Sequence, residues 1–127
     1  MTSTVDEKAM SDDAVSLEAQ QRWVPVCRYD DLQPECGVTA LVGDRQIAIF
    51  RIYEGSVYAL DNQDPFTGAF VLGRGIVGDR NGIPTVASPL LKQVFDLRTG
   101  KCLDDSTVGA AVHPIRVRDG MVELAVT

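Results

Sequence analysis

The chain has 127 residues, which fits one domain and is long enough to bury a core without disulfides or metal. Its 45% hydrophobic and 24% charged residues are ordinary for a globular protein, and 11 glycines with 6 prolines favour a turn-rich β-fold over a helical one. A net charge of −6 repels polyphosphate, which argues against nucleic acid or an anionic membrane as the main partner.

Residues 1–22 read as a tail rich in Ser, Asp, Glu, Gln and Ala. A helix over residues 12–21 suits the local propensities but is too short to stand alone in water, so the tail is expected to be disordered or ordered only against a partner. The start lacks the basic and apolar runs of an export signal, and no apolar stretch reaches the ~20 residues of a membrane helix. The expected location is the cytoplasm. Three cysteines, Cys27, Cys36 and Cys102, form no C-x-x-C pair, which disfavours a disulfide framework and fits a reducing compartment. Each is expected to act as a small apolar residue in or near the core.

The folded domain is expected over residues 23–127. Trp23-Val24-Pro25-Val26-Cys27 is a strand candidate, and Pro25 places it at a sheet edge. Residues 39–42, 46–53 and 57–60 form three further strand candidates separated by Gly43-Asp44 and Glu54-Gly55-Ser56, the pattern of an antiparallel meander. Residues 61–81 carry Pro65, Gly68, Gly73, Gly75 and Gly78 with no periodicity, and are expected to be one long ordered loop. Residues 83–87, 93–96 and 101–103 are strand-like, with a second loop at Ser88-Pro89-Leu90-Leu91-Lys92. Asp119-Gly120 between two alternating runs predicts a closing hairpin with a type I′ turn. The whole reads as an all-β single domain of short antiparallel strands.

The opening Trp-Val-Pro-Val strand, the meander ending in Tyr58-Ala59-Leu60-Asp61-Asn62, the two proline loops and Phe95-Asp96-Leu97-Arg98-Thr99-Gly100 together resemble a Rieske [2Fe–2S] domain. In that family each loop supplies one Cys and one His, in C-P-H-x-G and C-P-x-H-G, so two thiolates hold one iron and two imidazoles the other. Here the first loop is Asp64-Pro65-Phe66-Thr67-Gly68 and the second Ser88-Pro89-Leu90-Leu91-Lys92. Asp64 and Ser88 stand at the Cys positions, Phe66 and Leu91 at the His positions. The chain has a single histidine, His113, and no cysteine in either loop, so the donor set of such a cluster cannot be assembled. No cofactor or metal is therefore expected in this chain; two oxygen donors, Asp64 and Ser88, make a weak metal site.

Arg74-Gly75-Ile76-Val77-Gly78-Asp79, Ser88-Pro89-Leu90-Leu91-Lys92-Gln93 and Val112-His113-Pro114-Ile115-Arg116-Val117 resemble the small subunit of assimilatory NAD(P)H-dependent nitrite reductase. That resemblance implies a partner, the large subunit, carrying FAD, siroheme and a [4Fe–4S] centre and reducing nitrite to ammonium. It implies no catalytic residue in this chain, whose role becomes docking. The candidate interface is Phe66, Arg74, Ile76, Leu91 and Lys92, because apolar groups rimmed by charge are the usual anchors. Against this stands the reading that Phe66 and Leu91 fold inward and fill the space of the missing cluster. A rival function with the same fold is a ligand-free interaction module that stabilises or regulates another oxidoreductase. His113, beside Pro114, is expected to be structural, with no acid or thiol evident as its partner.

Overall fold

The computed structural model describes residues 22–126, so the tail, with the helix expected over residues 12–21, lies outside the described residues, except for Arg22. Nine strands follow in order: β1 (Arg22–Arg28), β2 (Cys36–Val42), β3 (Arg45–Arg51), β4 (Val57–Asp61), β5 (Ile76–Arg80), β6 (Ile83–Ala87), β7 (Val94–Asp96), β8 (Ile115–Arg118) and β9 (Met121–Val126). They form three antiparallel sheets of three strands, ordered β1-β9-β8, β2-β3-β4 and β5-β6-β7. The all-β reading holds: the only helical elements among the described residues are two three-residue 3-10 turns. Among the described residues no helix is long and apolar enough to cross a membrane.

The expected meander is β2-β3-β4, and β3 is the pivot of the molecule. Its Ile47, Ala48, Ile49 and Phe50 are all fully buried, because the sheet is covered on both faces. Ala48 and Phe50 join Leu60, Leu72, Val86, Phe95 and Leu97 in one core, towards β5-β6-β7. Ile47 and Ile49 join Leu32, Ala59, Val122 and Leu124 in the other, towards β1-β9-β8. A strand buried on both sides carries no polar alternation, which is why its register is not evident from pattern alone. Burying Phe50 or Phe95 stabilises by roughly 1.5–3 kcal/mol each.

Pro25 sits on edge strand β1, and the register with β9 shifts between Pro25 and Cys27, as a residue without an N–H requires. The closing hairpin is as expected, with Asp119 and Gly120 at φ 52° and 79°, both in the left-handed region a type I′ turn needs.

Three expectations are corrected. The long loop is shorter than residues 61–81, because Ile76–Arg80 pairs with Ile83–Ala87 as a regular hairpin through Asn81-Gly82. Residues 101–103 make only isolated bridges, Phe95 with Cys102 and Lys101 with Gly109. Of the cysteines, Cys102 is buried and Cys27 half-buried, but Cys36 at the start of edge strand β2 is exposed.

Candidate functional site

Two loops meet at one end of the molecule: residues 62–75 between β4 and β5, and residues 88–93 between β6 and β7. The first is closed on itself. The Asp64 N–H donates to the Ala69 carbonyl and the Gly68 N–H to the Asp64 carbonyl, both at 2.7 Å. Asp64 Oδ1 accepts the Phe66 N–H at 2.8 Å, an Asx turn, and Gly68 sits at φ 80°, which only glycine adopts without strain. The second loop closes the same way. The Ser88 N–H donates to the Gln93 carbonyl at 2.8 Å and the Lys92 N–H to the Ser88 carbonyl at 3.0 Å. Lys92 takes the left-handed conformation at φ 60°.

Behind the first loop, Asn62 is almost fully buried and fully engaged. Its Oδ1 accepts the Gly73 N–H at 2.7 Å, and its Nδ2 donates to Gln46 Oε1 at 3.0 Å. Its backbone carbonyl accepts the Leu72 N–H at 3.0 Å. Gly73 leaves room for this packing: a Cβ there would lie 2.5 Å from Thr39 Oγ1 and 3.1 Å from Asn62 Oδ1, so a larger residue must displace the Thr39 hydroxyl. Asn62 thus pins the far end of the loop to the meander. An Asn immediately after a strand and before a Gly/Pro loop is the signal that sequence reading passed over.

The four positions that the sequence analysis set against cluster ligands separate by chemistry. Asp64 and Ser88 are both buried and bonded to each other, Ser88 Oγ donating to Asp64 Oδ2 at 2.6 Å. Phe66 is half-buried against the first core, its ring 6.1 Å from that of Phe95 at an interplanar angle of 53°. Leu91 points outward and is 56% exposed. These residues do not fit a [2Fe–2S] cluster: two positions offer oxygen already committed to a hydrogen bond, and two offer hydrocarbon. The nearest sulfur in the chain order, Cys102, is buried with its Sγ 3.9 Å from Gln93 Oε1.

Four large apolar side chains are exposed in and beside the loops. Phe70 lies in the first loop and Ile76 directly after it, and Leu90 and Leu91 crown the second; all four have half or more of their surface accessible. Ile76 pairs with Ala87, next to Ser88, so β5 delivers it to the second loop. Arg74 and Lys92 are exposed beside them and make no ion pair among the described residues. Of the five residues expected at this surface, Ile76, Leu91, Arg74 and Lys92 are exposed, whereas Phe66 is half-buried against the core; Phe70 and Leu90 are exposed without having been expected.

His113 has a partner after all. Its Nε2 lies 2.6 Å from Asp61 Oδ1, which also accepts from Arg45 at 3.2 Å. The His113 N–H donates to the Ala59 carbonyl, and Leu60 bridges to Val112. These contacts dock the strand entering the last hairpin onto β4, a structural task that sequence separation had hidden.

A model of the family described as a Rieske-like [2Fe-2S] domain matches residues 22–125. The nitrite reductase (NADH) small subunit of Escherichia coli K12 is 45% identical over 104 residues, covering 81% of this chain and 96% of that one. The chain belongs to the nitrite reductase small-subunit family of Rieske-like domains. The NMR structure of the E. coli protein NirD, 44% identical, superposes with a TM-score of 0.78 over 84% of this chain and 98% of that one. In Klebsiella oxytoca the stretch similar to this small-subunit chain lies within the nitrite reductase [NAD(P)H] large subunit itself. It is 42% identical over 100 residues, 79% of this chain and 10% of that protein.

Proposed function

We propose that this chain is the accessory subunit of a cytoplasmic NAD(P)H-dependent nitrite reductase and docks on the catalytic large subunit through the tip formed by residues 62–75 and 88–93. The large subunit holds FAD, siroheme and [4Fe–4S] and reduces nitrite to ammonium for nitrogen assimilation; this chain contributes contacts rather than a catalytic group. The observation that carries the reading is the tip: in and beside the two loops that the resemblance assigns to a cluster, the chain exposes Leu90, Leu91, Phe70 and Ile76, together with Arg74 and Lys92. Apolar anchors with a charged rim are the chemistry of a protein interface. The Klebsiella relative, in which a similar domain is part of the large chain, supports the choice of partner.

Co-purification from the native cell tests it, followed by nitrite-dependent NAD(P)H oxidation with and without this chain. The expected result is a complex with the large subunit that Leu91→Asp disrupts. Recovery of the chain with a different oxidoreductase and never with a nitrite reductase would favour the rival interaction module instead.

A further inference from the structure

Two loops that present one surface need something to hold them in register. In a metal-bearing tip the metal is the cross-link. Here the described residues contain no group of three or more His, Cys, Asp or Glu placed to hold an ion. The first loop leaves β4 in one sheet and enters β5 in another; the β5–β6 ladder ties only the end of that loop, at Ile76 opposite Ala87, to the second loop, and leaves Asp64, twelve residues earlier, to be placed by other contacts.

We infer that the Asp64–Ser88 hydrogen bond is the latch that sets the docking tip, making these two buried side chains positioning residues for the complex; this rests on the docking reading above. The bond is 2.6 Å long and spans 24 residues of sequence, and both groups are sealed from water. Each end is built into the closure of its own loop. Asp64 also holds the Phe66 N–H and, through its backbone, Gly68 and Ala69. Ser88 also holds Lys92 and Gln93 through its backbone. A shift of either side chain therefore moves a whole loop, and with it Phe66 on one side or Leu90, Leu91 and Lys92 on the other. Removing the hydroxyl leaves a buried carboxylate oxygen without its donor, and the loops must part to admit water.

The chemistry gives a conservative rescue. Asp64→Asn keeps Oδ1 for the Phe66 N–H and can donate from Nδ2 to Ser88 Oγ, reversing the bond without breaking it. The test compares full-length wild type, Ser88→Ala, Asp64→Asn and Leu91→Asp. It measures affinity for the purified large subunit, thermal midpoint, and amide exchange at Gly68 and Lys92, whose N–H groups close the loops. Ser88→Ala should bind about tenfold or more weakly, with faster exchange at both amides. Asp64→Asn should stay near wild type in both readouts. Should Ser88→Ala fail to fold, Ser88→Cys takes its place, since a thiol is a weaker donor of similar size, and it must weaken binding in the same way. A folded Ser88→Ala that binds like wild type overturns the latch, as does an Asp64→Asn that is as impaired as Ser88→Ala, which would assign the effect to charge. Leu91→Asp keeps the two readings apart. If it binds normally the docking surface is wrong, and the latch then stands or falls on whether amide exchange rises in Ser88→Ala and stays low in Asp64→Asn.

Discussion

The Phe66 ring lies tilted on Phe95 at 6.1 Å, while Leu91, its counterpart in the other loop, stands out from the surface. The two positions expected to correspond to imidazoles therefore differ: one side chain packs inward, the other is exposed. Phe66→Ala should destabilise by about 2 kcal/mol, less than a fully buried Phe because half-buried. Leu91→Asp should change stability by less than about 0.5 kcal/mol yet lose the complex with the large subunit. Urea melts beside a binding assay separate the two, and equal losses of stability would contradict the division.

Asp61 joins His113 and Arg45 at one carboxylate oxygen. Alanine at either Asp61 or His113 should cost about 1–2 kcal/mol, because each removes a bond that docks residues 112–114 on β4. The double variant should cost clearly less than the sum of the two, since both remove the same contact. Strict additivity in a double-mutant cycle would show that the bond contributes nothing.

Acid should weaken the fold through Asp96. Burial pushes this carboxyl up, but the Arg98 side chain, the Arg98 N–H, the Arg98 charge and the Thr99 N–H together outweigh it and hold it below its ordinary value. A carboxyl whose folded value is depressed stabilises fully above its unfolded value of about 3.9, and loses that contribution as pH falls through the lower folded value. Urea midpoints of the wild type should fall steeply below about pH 4, and those of Asp96→Asn, already lower at neutral pH, should fall less steeply. Parallel pH curves for the two proteins would remove Asp96 from the account.

Thiol chemistry should follow exposure. Cys36 is exposed and should alkylate first; Cys27 should follow slowly, because burial, aided by the nearby Asp31 charge, pushes its thiol up and thins the thiolate. Cys102 should react only on unfolding. Mass spectrometry of a timed alkylation gives the order directly.

Lys92 holds a left-handed backbone that L residues adopt at a cost. Lys92→Gly relieves that strain against a gain in unfolded-state entropy, and should raise stability by about 0.5 kcal/mol. If the Lys92 charge also rims the interface, the same variant should bind the large subunit more weakly and with less salt dependence. Stability and affinity moving in opposite directions at one residue is the result to look for.

The sequence by itself determined the β class, the edge position of β1 through Pro25, the Asp119-Gly120 turn and the absence of cluster donors from the loops. Each of these is local chemistry: a missing N–H, a positive φ, a side chain without a donor atom. Only the tertiary structure decided that Ser88 bonds Asp64, that His113 finds Asp61, that Asn62 pins Gly73, and that Phe66 turns in while Leu91 turns out. These depend on which strands become neighbours across 11 to 52 residues of chain, and no local pattern encodes that distance. The strand at Ile76–Arg80 escaped for a related reason: one glycine and two charges along it read as loop, and its partner β6 is what makes it a strand.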